Sequence, residues 1–271
     1  MLTSFFLLIA SLLFLLGSMI GSFLNVVIYR TLKDESWVKG RSKCENCQSL
    51  IHWYDNIPLL SYFVLGGKCR SCKTPIAITH PVVEFLTGSL FVWWYLGGSL
   101  FFHITHEPLR YVQPLFWLIV GLILLVIFCA DLLYYRIPDE AVFMLSGVTL
   151  LYRIALVTTG VMQIEDFARA VVGAFGLSFF FYCLWYFSKK KGMGFGDVKL
   201  VFPLGLLMGW PDMIAGMFAA FIFGSVVGIS LLVFGKKTWK QAIPFGPFLI
   251  LGTVVSLVWG NQLVQWYFHL L

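Results

Sequence analysis

Eight apolar blocks, separated by short polar connections and one longer loop, leave this chain few folds to choose from. They run roughly over 3–29, 79–102, 114–133, 140–160, 167–188, 198–210, 212–235 and 245–268. A helix needs about 20 apolar residues to cross the hydrocarbon core of a bilayer, and a helix satisfies its own backbone donors and acceptors there. The pattern predicts an all-α polytopic membrane protein with about eight transmembrane helices. Composition agrees, with 59% hydrophobic residues, only 12% charged and a mean hydropathy of +0.87, where soluble domains carry about a quarter charged. The sixth block spans only about 13 residues, with Trp210-Pro211 at its end. It is expected to be tilted, or partly re-entrant and shielded by its neighbours. The first block has no basic residues before it, and its apolar run continues to Ile28 with Arg30 following. It reads as a retained span and not as a cleaved signal.

The basic residues report topology. The net charge of +6 does not form a nucleic-acid surface, because Lys and Arg sit in the connections between apolar blocks. Loop 30–78 holds eight of them, the 134–139 turn one, the 189–199 region four and the 236–242 loop three. The opposite set of connections holds only Arg110, Arg153 and Arg169, so the split is 16 to 3. The positive-inside rule then places the N-terminus outside and the large first loop in the cytoplasm. The expected organisation is a first transmembrane helix at 1–29, a cytoplasmic tetracysteine loop at 30–78 and a transmembrane bundle at 79–271.

Within that loop, Cys44-x2-Cys47 and Cys69-x2-Cys72 are separated by 21 residues. Paired CxxC knuckles at such spacing supply four thiolates to one tetrahedral zinc. The reducing side of the membrane disfavours disulfides, leaving a redox pair or free thiols as the competing reading. A long loop with little core gains folding energy from a structural metal. Cys129 and Cys183 read as small buried apolar residues.

Carboxylates inside apolar blocks are costly, and each one asks for a reason. Asp131 lies near the end of the third block and Asp197 at the start of the sixth, within Gly192-Met193-Gly194-Phe195-Gly196-Asp197. The charge count puts both at the cytoplasmic boundary, where two close carboxylates would share a proton and activate water. From the residues alone they are equally readable as helix caps or as Lys/Arg-paired surface acids. Asp139, after Pro138, is expected to cap the following helix. Glu84 is an acid inside the second block. The glycine run follows no strand and has GxGxG spacing, so a dinucleotide loop is excluded; its glycines suit close backbone approach.

Taken together these residues resemble the type IV prepilin peptidase family. The resemblance covers Gly21-Ser22-Phe23-Leu24-Asn25 through Arg30, the paired CxxC loop enclosing Tyr54-Asp55-Asn56-Ile57-Pro58, and Asp131 with Ile137-Pro138-Asp139. It continues through the Gly194-Phe195-Gly196-Asp197 form of the GxGD motif, with a second Asp 66 residues upstream, and Pro244-Phe245-Gly246-Pro247. Two stretches differ from the usual family pattern, Ala77 to Glu84 and Glu45 after the first cysteine. The resemblance implies that Asp131 and Asp197 are the catalytic pair, with Gly194, Gly196, Lys199, Glu84 and Asp139 in support, Glu84 either lining the methyl-donor site or pairing with a nearby base. It implies cleavage of basic prepilin or pseudopilin leaders, commonly after a glycine, at the cytoplasmic face of a bacterial inner membrane. It also implies S-adenosylmethionine-dependent N-methylation of the new terminus, zinc in the cysteine loop, and substrates whose apolar helix lies in membrane lipid. Two other classes compete. A secretion scaffold would tolerate loss of either Asp, and a proton-coupled transporter is expected to place its acids near the midplane with repeat symmetry, whereas here they lie at one edge and no repeat is visible.

Overall fold

The structure, a computed structural model, describes residues 2–33, 35–36, 40–98, 109–190, 192–235 and 243–269. The basic 236–242 loop, Lys39, Lys191 and residues 99–102 of the second block lie outside the described residues. The helices are α1 (Leu2–Thr31), α2 (Leu60–Val64), α3 (Thr79–Gly97), α4 (Leu109–Tyr134), α5 (Asp139–Thr158), α6 (Ile164–Phe187), α7 (Phe195–Met208), α8 (Asp212–Val233) and α9 (Gly246–His269). A single 3₁₀ turn at Trp53–Asn56 precedes α2. Among the described residues there is no β-strand, only two isolated bridges at Lys43–Leu50 and Lys68–Pro75.

The eight longer helices coincide with the eight apolar blocks. Five contain a stretch long and apolar enough to cross a membrane: Phe5–Thr31, Leu109–Tyr134, Asp139–Thr158, Ile164–Phe187 and Asp212–Val233. Large apolar side chains face outward along them, including Leu7, Phe143, Leu151, Phe179, Phe218 and Ile229. On a water-soluble protein such apolar surface would be an association hazard; on a multi-pass membrane protein it faces lipid.

The chain divides into two compact units, the first ending at Val126 and the second beginning at Ile127. In the first, α1 packs along α3 on a seam of small residues. A Cβ placed on Gly17 would lie 2.8 Å from the Thr87 carbonyl oxygen, and one on Gly21 would lie 2.8 Å from the Glu84 Cα. Lipid supplies little hydrophobic drive between helices, so association depends on such close backbone approach.

In the second unit the sequence fold centres on the shortest of its helices. α7 packs against α5, α6, α8 and α9, and Leu200, Val201, Leu204 and Leu206 are fully buried. The expected shielding of the sixth block is what the structure shows. A Cβ on Gly205 would meet the Ala174 Cα at 3.2 Å, so α6 and α7 approach at glycine–alanine contact. α7 stops at Gly209, whose φ of +82° suits glycine and ends the helical path.

Candidate active site

Four chain ends of the second unit converge. α4 terminates three residues after Asp131, where Tyr135 takes a φ of +55° and donates its N–H to the Asp131 carbonyl oxygen at 2.9 Å. Pro138 is extended and sets the start of α5. Asp197 lies in the first turn of α7, and Gly246 is the first residue of α9. Both carboxylates are buried, each about 6% exposed, and Ile137 lies against both Gly196, beside Asp197, and Gly246, beside Asp131.

The Asp131 Oδ2 accepts the Gly246 N–H at 2.9 Å. That N–H is one of the unpaired donors at a helix start, and the positive end of the α9 dipole lies behind it. Asp197 occupies the equivalent first turn of α7, with its own N–H donating to the Gly194 carbonyl oxygen at 3.2 Å. Two helix N-termini therefore offset part of the cost of holding charge in a dry site. Gly246 and Gly196 are needed for space, while Gly194 would take a Cβ at ordinary contact. A Cβ on Gly246 would lie 2.7 Å from Asp131 Oδ2, one on Gly194 would lie 3.4 Å from Asp197 Oδ2, and one on Gly196 would meet the Ile137 Cβ at 3.1 Å. Ile137 thus fills the gap between the starts of α7 and α9.

Asp139 corrects the expectation of a cap. Pro138 holds the N-cap position, no side-chain cap bond forms, and Asp139 is the first helical residue. Its carboxylate instead pairs with Lys199, tying the start of α5 to the start of α7 beside the dyad. Lys199 also lies 5.5 Å from the centre of the Phe195 ring. Glu84 lies in the first unit, buried in the first turns of α3. It accepts the Leu59 backbone N–H at 2.8 Å and so anchors the loop to α3. Gly246 and Ile137 belong to motifs visible in the sequence, yet their roles come from backbone position, which residue type does not announce.

The cysteine loop, also in the first unit, forms a candidate metal centre. Cys44, Cys47, Cys69 and Cys72 bring their Sγ atoms within 4.8 Å of one another, with 3.7 Å between Cys44 and Cys72. Four thiolates at about 2.3 Å from a tetrahedral zinc lie about 3.8 Å apart, so this donor set fits the ion. The two halves repeat one geometry. Cys44 N–H donates to Ser49 O and Gln48 N–H to Cys44 O, both at 2.9 Å, and Cys69 with Thr74 and Lys73 does the same at 2.9 and 3.0 Å. Gln48 and Lys73 follow their CxxC pairs with φ of 57° and 59°. The Thr74 hydroxyl and then its backbone N–H bring the Cys72 thiol down to about 5, while desolvation and the neighbouring Cys69 and Cys47 thiols push Cys44 up to about 11, so the cluster shares its charge unevenly. Arg70, between the second pair, grips Asp55 with Nε at 2.8 Å and Nη2 at 2.6 Å. Its hydrogen bonds, and then its charge, hold the Asp55 carboxyl below the usual range.

Comparison with known proteins agrees with this arrangement. Residues 15–97 match the model described as the bacterial peptidase A24 N-terminal domain, and residues 118–229 match the type IV leader peptidase family. Similar curated proteins are prepilin leader peptidase/N-methyltransferases. The one from Aeromonas hydrophila is 31% identical over 95% of this chain and 93% of its own length. Those from Legionella pneumophila and Pseudomonas aeruginosa are 29% and 30% identical over 92% and 93% of the chain, and over 90% and 91% of their own lengths. No solved structure matches. A buried pair of aspartates at converging helix ends, a four-thiol loop and likeness along nearly the whole chain lead to one assignment: this chain belongs to the type IV leader peptidase family.

Proposed function

We propose that the chain is an intramembrane aspartyl endopeptidase that removes the basic leader from type IV prepilins or pseudopilins and N-methylates the new terminus. The observation that carries the proposal is the buried Asp131–Asp197 pair, with Asp131 accepting the Gly246 N–H at 2.9 Å. In the reaction, the ionised carboxylate takes a proton from water as its oxygen attacks the scissile carbonyl carbon. The protonated carboxyl gives its proton to the carbonyl oxygen. Collapse of the tetrahedral species breaks the C–N bond, and the leaving amine receives a proton from the pair. Burial limits competing water, and the two helix N-termini favour the negative charge that moves between the aspartates.

The Lys199–Asp139 pair fixes the start of α7 against α5, and Gly196 and Gly246 let Ile137 and Asp131 approach the starts of α7 and α9 closely. A zinc ion held by Cys44, Cys47, Cys69 and Cys72 would supply folding energy to the loop, with no part in the hydrolysis. The methylation step is proposed from the double activity in the relatives' names; S-adenosylmethionine would supply the methyl group, and no side chain here is assigned to hold it. The charge bias supports a reading with the pair at the cytoplasmic face of a bacterial inner membrane, eight crossings and the N-terminus outside. A substrate with a basic leader and an apolar helix would lie across that same boundary. The helix would sit in lipid, and the leader would be drawn to the anionic surface.

The test is incubation of the purified chain, in anionic lipid, with a prepilin, followed by mass spectrometry. Two products cut at the leader boundary are expected, and with S-adenosylmethionine the mature product gains the mass of one methylene. Intact prepilin after incubation with folded protein would remove the peptidase reading.

A further inference from the structure

The C-terminal end of α7 is held by a buried arginine from a neighbouring helix. Arg153 lies near the end of α5 and is 8% exposed. Its Nε donates to the Leu206 carbonyl oxygen and its Nη2 to the Leu207 carbonyl oxygen at 3.3 Å, while Nη1 lies 3.7 Å from the Met162 Sδ. Leu206 and Leu207 are among the last four carbonyls of α7, which have no partner within the helix. The guanidinium also sits at the negative end of the α7 dipole. Gly209 makes room for it, since a Cβ there would lie 2.7 Å from Arg153 Nη2. Asp166 is an acidic group whose charge reaches Arg153, but its carboxylate is paired with Arg169 at 3.2 Å.

α5 therefore grips α7 at both ends, through Asp139 and Lys199 at its start and through Arg153 at its finish. α7 has 14 residues, about 21 Å. Although Pro203 interrupts its hydrogen bonding, the packing of α5, α6, α8 and α9 around it couples one end to the other, where Asp197 sits. We propose that Arg153 is a positioning residue for the aspartyl pair, setting the depth and rotation of α7 so that Asp197 meets Asp131. In a long spanning helix, lipid-facing length would help to fix that depth. α7 is too short for this and is surrounded by protein, so a polar anchor at its far end takes the task. The inference rests on the peptidase reading for its kinetic consequence, but not for its structural one.

The test compares wild type with Arg153→Lys and Arg153→Gln in lipid, after confirming folding by thermal melting. Prepilin cleavage is expected to lose about 10- to 100-fold in kcat with Arg153→Gln, as for a catalytic group misplaced by about an ångström. KM should be nearly unchanged, and the pH–rate profile should change shape because the spacing of the two aspartates has changed. Arg153→Lys, which keeps the charge and one or two donors, should recover most of the loss. Hydrogen exchange supplies a readout that needs no activity: amides of α7, including Asp197, should exchange faster in Arg153→Gln while those of α9 do not. Wild-type kcat and pH profile in folded Arg153→Gln, or unchanged α7 exchange, would overturn the proposal. Failure of both variants to fold would also overturn it, assigning Arg153 to folding alone. A wild type with no cleavage but with the expected exchange changes would remove the peptidase reading and leave the positioning role standing.

Discussion

Helix α7 and the cysteine loop are both too short to be stable alone, and they are ordered by opposite means. In α7, ten of 14 residues are buried, and its order comes from the four helices around it, with polar anchors only at its ends. In the loop, the Trp53–Asn56 turn buries nothing and α2 buries only Ser61. Its order comes from donors and acceptors: two matched knuckles, the Arg70–Asp55 grip, the Glu84–Leu59 bond and a four-thiol site suited to a metal. Where a segment is surrounded by other helices, packing fixes it; where it is not, discrete polar contacts take over. Removing a few atoms is therefore expected to unfold the loop but only to retune the helix.

The largest expected effect falls on the packed region. On the proposed peptidase reading, Asp131→Asn and Asp197→Asn each remove a proton-transfer group, worth about 10²–10⁴ in rate. Each variant should lose nearly all cleavage in a prepilin assay while its melting temperature stays close to wild type. Robust cleavage by either would take the reaction away from this site. If instead either variant unfolds the protein, the contrast between packed and polar order fails.

The next effect belongs to the loop. About one zinc per chain is expected, removed by a strong chelator or by changing the four cysteines to serine. Alkylation of the loop thiols should then become fast, and exchange of amides 42–76 should rise. Exchange in α7 should stay as it was, and an equal rise there would show that loop and helix are not separately ordered.

The smallest effect concerns Asp55 and is a matter of pH. Its folded pKa is depressed by Arg70, so the pair contributes in full above the ordinary carboxylate range of about 4. The contribution is lost as pH falls through the lower folded value. Digestion of the loop by an acid-active protease should increase over that window in wild type. Asp55→Asn should be more sensitive above it and should lack this part of the pH dependence; an unchanged acid profile would mean that the grip contributes nothing to loop order.

Much of this was legible in the sequence. Apolar blocks carry a length signal, and CxxC pairs announce their geometry through spacing alone, so the helices and the thiol cluster could be placed directly. Asp131 and Asp197 stood out because a carboxylate in an apolar block is costly. Asp139 was misread because Pro-Asp before a helix is a local signal for a cap, whereas its partner Lys199 is 60 residues away. Glu84 was ambiguous for the same reason: the backbone N–H that it receives carries no residue-type signature. Arg153 entered only as a charge for topology, since nothing local reveals that two carbonyls of another helix lie beside it. Long-range polar pairing, unlike burial or knuckle spacing, leaves no periodic mark.

The seam of Gly17, Gly21 and Thr87 between α1 and α3 has a consequence for the connection that joins them. That connection runs over 47 residues, and the entropy of closing a loop rises only with the logarithm of its length. Halving or doubling it changes the closure cost by about 0.6 kcal/mol. The tether is thus a minor term in keeping the two helices together, while each added methyl group at the seam would force their backbones apart. The loop is accordingly free to lengthen, shorten or exchange its contents, provided that its two ends remain helical and the glycines remain glycines.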